Sequence, residues 1–194
     1  MQFKPETSRK LGQGEEFIFQ AVTGHKSDNG IFYKSDDDRT SPLRSGERYD
    51  NIEDEFNALQ RLSSIAPDLF VSPLSLTYDE EGNPDGYFME NAPGEELNDY
   101  TQTYEDQASE NRDLSELNTD FISQQINYMD TLMNIYGESH GDLKPWNIKV
   151  DPETSRIRGY DPVGFDRETA STKMARNEDE EQIEKILSDL DQAS

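Results

Sequence analysis

The chain contains no cysteine. That excludes disulfides, thiolate catalysis and zinc–thiolate sites at once. Basic residues are scarce: 18 Lys plus Arg stand against 42 Asp plus Glu, for a net charge of -24. The few cations are scattered and form no local patch, so nucleic acid and anionic membranes are not expected partners. Apolar residues are sparse too, at 31%. The expected core is therefore small, with a large share of loop. No apolar run approaches about 18 residues, so no membrane-spanning helix is expected. Met1 to Lys10 lacks the apolar core of a secretory signal. A soluble, cytoplasmic chain is the expectation; a non-hydrophobic signal for injection into a host cell would leave little trace in composition. The acidity has two readings, a surface adapted to high salt or an ordinary soluble protein with acidic loops, and both stay open here. A chain of 194 residues suffices for one large domain or two small lobes sharing a cleft.

Residues 11–34 read as strands, with Phe17, Phe19 and Ala21 alternating with polar neighbours and a β-favouring run at Ile31-Phe32-Tyr33. Residues 36–50 read as a loop, and 52–66 as a helix ended by Pro67. Residues 69–90 hold two further strands around a turn at Asp79 to Pro84. Residues 91–118 read as a linker with a weak helix. A strong helix follows over 119–136, with Ile122, Ile126, Met129, Leu132, Met133 and Tyr136 on one face. A hairpin pairs Ile148-Lys149-Val150 with Ile157 to Tyr160, and Ile183, Ile186, Leu187 and Leu190 mark a last amphipathic helix. Strands in front and helices behind suggest an α+β protein of two lobes.

The chemistry concentrates in His140-Gly141-Asp142-Leu143-Lys144-Pro145-Trp146-Asn147, followed by Tyr160-Asp161-Pro162-Val163-Gly164. Asp142 can take a proton or orient a hydroxyl. Asn147, a neutral oxygen ligand, and Asp161, a charged one, suit a hard Mg²⁺ that keeps several waters. Lys144 can neutralise charge on a transferred phosphoryl group. His140 reads as a structural brace of the loop and Trp146 as packing. Upstream, the glycine pair Gly12 and Gly14 can bring backbone N–H groups close to phosphates, although a plain turn between strands has the same composition. Lys34 ends a β-type run, where it can pair phosphates or simply be solvated.

Glu55 stands out from its acidic neighbours. With Ile52 at zero and about 100° per residue, Phe56 falls at about 40°, Leu59 at about 340°, Leu62 at about 280° and Ala58 at about 240°. Glu55 falls at about 300°, inside that apolar stripe, while Glu53 and Asp54 fall at about 100° and about 200°, outside it. A carboxylate on a buried face must find a cation. Lys34 is the natural partner.

These residues resemble the protein-kinase-like superfamily in type and in order, over about residues 11–165. The resemblance implies ATP and Mg²⁺ as cofactors and a two-lobed fold, with residues 1–194 one minimal domain. The N-lobe would span about 8–90, the hinge about 90–95 and a reduced C-lobe about 96–194. On it, Lys34 matches the phosphate-pairing lysine and Glu55 its partner. Asp142 matches the catalytic aspartate and Lys144 the catalytic-loop lysine. Asn147 and Asp161 match the Mg²⁺ ligands. Tyr87 to Asn91 resembles the hinge, so Glu90 and Asn91 would meet adenine through backbone groups.

The departures carry information too. Gly141 stands where the family commonly has the arginine that receives an activation-loop phosphate, which implies activity without that switch. The third glycine of the Gly-rich loop is missing, Pro162-Val163 replaces the usual Phe, and no Ala-Pro-Glu follows Asp161. The pattern is similar to miniature kinases. Asp-Leu-Lys-Pro-x-Asn, with its lysine, resembles Ser/Thr protein kinases and implies a protein substrate. Miniature kinases of this size include injected bacterial effectors that act on a host heat-shock chaperone or bind ubiquitin-conjugating complexes, alongside archaeal and viral kinases. The alternatives are a small-molecule phosphotransferase of aminoglycoside-kinase type and a nucleotide-binding pseudokinase scaffold.

Overall fold

The computed structural model describes residues 31–35, 52–104, 112–163 and 170–192. The strands expected around Phe17, Phe19 and Ala21, the glycines Gly12 and Gly14, and the whole loop expected over 36–50 lie outside these residues. Among the described residues the protein is α+β, with two small antiparallel sheets and four α-helices.

The first sheet has the order β1-β3-β2, built from β1 (Ile31–Ser35), β2 (Pro73–Tyr78) and β3 (Pro84–Glu90). β3 lies in the middle because its run Tyr87-Phe88-Met89 can be buried on both faces. The β2–β3 turn is held by Asp79, whose carboxylate accepts from the Asn83 backbone N–H at 2.7 Å. Helix α1 (Ile52–Ile65) packs on β2 and β3. Its buried residues are Ile52, Glu55, Ala58, Leu59, Leu62 and Ser63, so Glu55 does lie in the apolar stripe. A small core forms beneath, from Ile52, Leu59, Val71, Tyr87, Met89 and Ala92.

The second sheet has the order β4-β5-β6, from β4 (Glu95–Glu96), β5 (Ile148–Val150) and β6 (Ile157–Gly159). Short helix α2 (Leu97–Thr101) follows β4 directly. Helix α3 (Thr119–Tyr136) begins at an Asn118 cap, whose side chain accepts from the Phe121 N–H, and ends at Gly137 with φ +66°. Helix α4 (Ala170–Gln192) packs against α3. It begins well before the Ile183 to Leu190 stripe that marks it in the sequence. The larger core joins these parts through Ile122, Ile126, Met129, Met133, Ile183, Ile186 and Leu190. Tyr136 corrects one expectation: it is 58% exposed. Its angle on α3 matches the stripe, but it is the last residue before the Gly137 cap. The helical wheel fixes a direction, not whether a partner reaches that far along the axis.

The two sheets meet along residues 69–71. The Val71 N–H donates to the Gly159 carbonyl at 3.1 Å, and the Gly159 N–H donates to Leu69 at 2.7 Å. A Cβ on Gly159 would sit 2.9 Å from the Phe70 ring, so only glycine admits this approach. Among the described residues no helix is long and apolar enough to cross a membrane.

Candidate active site

Lys34, on β1, reaches α1. Its ammonium lies 2.7 Å from Glu55 Oε1 and also contacts Asp161 Oδ1. One cation thus joins the first sheet, the buried helix face and the segment after β6. Glu55 is buried and Lys34 nearly so, so the pair is screened far less than a surface pair. Removing one partner of such a pair strands the other and costs about 3–5 kcal/mol.

Asp142, Lys144 and Asn147 come from the loop between α3 and β5. Lys144 Nζ is 2.6 Å from Asp142 Oδ1 and lies over the Trp146 ring at 5.0 Å. Asn147 Nδ2 donates to the Asp142 carbonyl at 2.8 Å and to Asp142 Oδ2 at 3.1 Å. The Asp142 carboxylate is therefore held at both oxygens. Asn147 keeps its amide oxygen, which accepts no hydrogen bond among the described residues.

Backbone hydrogen bonds bring these two groups together. The Tyr160 N–H donates to the Asn147 carbonyl at 3.0 Å, and the Val163 N–H to the His140 carbonyl at 2.9 Å. Asp161, between them, has φ +61°, a left-handed conformation that costs a non-glycine residue about 1–3 kcal/mol. Such strain persists only where the surroundings impose it. Here the flanking bonds to 140 and 147 do so.

His140 is fully buried, and burial pushes its imidazole below the ordinary value against the opposing pull of Asp179 and Asp142. Its Nε2 faces the Tyr160 carbonyl at 2.9 Å, while Nδ1 has no partner among the described residues. A carbonyl only accepts, so Nε2 carries a proton and donates to it. That makes it a brace for the residue before Asp161, as read from the sequence.

Asp179 is the residue the sequence reading missed. It lies on α4, fully buried, and its carboxylate accepts from Ser139 Oγ at 2.7 Å, His140 N at 2.8 Å, Gly141 N at 2.9 Å and Leu143 N at 3.3 Å. It sets the backbone on both sides of Asp142. Gly141 has φ +77°, which explains a glycine there: an arginine would be strained in the conformation that turns its N–H to Asp179. The clue was available. Asp179 sits four residues after Ala175 and four before Ile183, inside the apolar stripe, the same criterion that singled out Glu55.

A cavity of about 310 Å³ opens between the sheets. Phe32, Val71, Met89 and Ala92 give it apolar walls, and Glu96, Lys149 and Tyr160 a polar side. Glu90 and Asn91 line it as well, but the Glu90 N–H already donates to the Ser72 carbonyl at 2.9 Å, so Glu90 does not offer the backbone donor expected of it. The Glu90 side chain is tied at 2.8 Å to Arg158, which also donates to the Phe70 carbonyl. Asn91 and Ala92 make no hydrogen bond among the described residues, so their backbone groups can take a ligand edge. The Tyr160 hydroxyl donates to the Trp146 carbonyl at 2.5 Å, and burial, with Glu96 nearby, raises it far above the ordinary phenol value.

No three acidic or imidazole groups converge as a metal cage among the described residues. Asn147 and Asp161 offer two oxygen ligands. That fits Mg²⁺ sharing its shell with phosphates and water better than an all-protein site. The Asp161 carboxylate already draws a cation, the Lys34 ammonium. Compared with known proteins, the chain matches no family model and no curated protein.

Proposed function

We propose that the chain is an ATP- and Mg²⁺-dependent phosphotransferase of two-lobed, protein-kinase-like architecture, acting on Ser or Thr of a protein. The observation that carries this reading is the ion-pair relay Glu55–Lys34–Asp161, one residue from the cavity-lining Tyr160, with backbone groups at Asn91 and Ala92 that make no hydrogen bond among the described residues. A structural ion pair needs no second carboxylate in a strained conformation and no adjoining cavity.

In this reading the adenine enters between Phe32, Val71, Met89 and Tyr160 and meets the backbone at 91–92. Lys34, oriented by Glu55, pairs the α- and β-phosphates. Asn147 and Asp161 would hold Mg²⁺, whose chemistry is to neutralise phosphate charge and orient the leaving group. Asp142 accepts the proton of the acceptor hydroxyl as its oxygen bonds to the γ-phosphorus. The bond from that phosphorus to the β-bridging oxygen breaks, and ADP leaves with the electron pair. Lys144, beside Asp142, offsets charge on the phosphoryl group in flight. Its presence in the loop favours a protein acceptor.

The test is transfer from radiolabelled ATP with Mg²⁺ to the chain itself, to generic proteins and to aminoglycosides. Asp142→Asn is expected to lose at least about a hundredfold, the usual weight of a positioned base. Asp161→Ala is expected to abolish the Mg²⁺-dependent part. Equal labelling by wild type and Asp142→Asn would refute the reading.

A further inference from the structure

The structure assigns Tyr87 a positioning role: its buried phenol latches helix α1 to β3 through Glu55, and so keeps Lys34 aligned without any modification. Its catalytic consequence rests on the phosphotransferase reading, but the latch itself rests on geometry alone.

Tyr87 is fully buried in the centre of β3. Its hydroxyl donates to Glu55 Oε1 at 2.5 Å, the same oxygen that takes Lys34 at 2.7 Å. Both lone pairs of that oxygen thus have donors, one from each of two strands. The ring is fixed separately. Phe56 meets it edge-on, with centroids 5.7 Å apart and planes at 74°. Consecutive residues of α1 therefore hold the two ends of one side chain, Phe56 the ring and Glu55 the hydroxyl.

The surroundings show why the hydroxyl matters. Ile52, Leu59, Val71 and Met89 share this core, and phenylalanine would fill it as well. A tyrosine there is tolerated because its hydroxyl has a charged acceptor. If α1 swung away from β3, the phenol would be left in an apolar core, and Lys34 would be left with Asp161. The docked helix is thereby the favoured state of the unmodified chain.

The test uses the full chain with Tyr87→Phe, Glu55→Leu and the double variant. Tyr87→Phe keeps the ring, and a cooperative thermal transition checks that it folds. Backbone hydrogen exchange is read without nucleotide. The expected result is exchange about tenfold faster over residues 52–65 in Tyr87→Phe, the weight of a hydrogen bond to a charged group, with residues 119–136 unchanged. In turnover, KM for ATP should rise and kcat fall while KM for the acceptor stays fixed. The double variant should be no slower than Glu55→Leu alone, which already removes the acceptor of the Tyr87 hydroxyl. Unchanged exchange over 52–65, or losses that multiply in the double variant, would overturn the latch. If exchange accelerates but no variant, wild type included, transfers phosphate, the latch stands and the phosphotransferase reading falls.

Discussion

Replacing Asp179 is the sharpest test of how the candidate loop is held. In Asp179→Ala the backbone N–H groups of His140, Gly141 and Leu143 lose their buried acceptor, as does the Ser139 hydroxyl. Each stranded donor costs about 1–3 kcal/mol, and the loop relaxes to recover part of that. The net loss is expected to be about 3–5 kcal/mol, a large share of the roughly 5–15 kcal/mol that stabilises a typical domain. Asp179→Asn is the more informative change. It keeps the shape and one acceptor oxygen but turns an NH₂ group toward N–H donors. Its cost is expected to be about 2–3 kcal/mol. For a chain of this size about 2–4 °C of Tm follow each kcal/mol, so Asp179→Asn should lower Tm by about 4–12 °C. Thermal unfolding by circular dichroism measures the shift, and hydrogen exchange localises it to residues 138–143. A Tm within about 1 °C of wild type, with unchanged exchange in the loop, would show that Asp179 does not hold it.

Two further predictions concern the surroundings of the site. Because burial holds His140 below its ordinary value, the unfolded chain binds that proton more readily, and stability must fall as pH drops below about 6.5. His140→Gln keeps a donor for the Tyr160 carbonyl but cannot take the proton. Wild type should therefore lose more stability than His140→Gln between pH 7.5 and 5.5 in urea melts, and equal losses would refute this. Gly94 has φ +97°, and a Cβ there would lie 2.0 Å from the Val150 carbonyl oxygen. Gly94→Ala should cost about 2–4 kcal/mol, by opening the β4–β5 pairing; a chemical-denaturation midpoint equal to wild type would refute it.

Some of this arrangement could be read from residue order and some could not. Glu55 was legible because a helix repeats at a fixed angle, and a carboxylate inside an apolar stripe announces a partner. Lys34 was legible because a β-type run ended on it. The partnership with Asp161 was not, since it depends on where the chain passes after β6. Asp179 satisfied the same angular criterion as Glu55. It was overlooked because Ala175 is a weak apolar marker, so the helix seemed to begin at Ile183. Its partners are backbone N–H groups, which leave no mark on residue type except at Gly141. β4 looked like linker, and α2 falls in a stretch read only as linker with a weak helix, because both contain few apolar residues. They are ordered by tertiary pairing, Glu95 opposite Val150 and Leu97 in the larger core. The Tyr87 hydroxyl bond was invisible, since Tyr87-Phe88-Met89 reads simply as a hydrophobic strand.

The Asp179 anchor also sets an order of events during synthesis. The loop residues it holds precede it by 36 to 40 positions. At about 5–20 residues per second, a ribosome needs roughly 2–8 s to cover that distance. During that interval Asp142 and Asn147 have been made, but the carboxylate that takes the His140, Gly141 and Leu143 N–H groups does not yet exist. Helix α4 thus acts as a late clamp: the anchor for this loop arrives only with its middle turn.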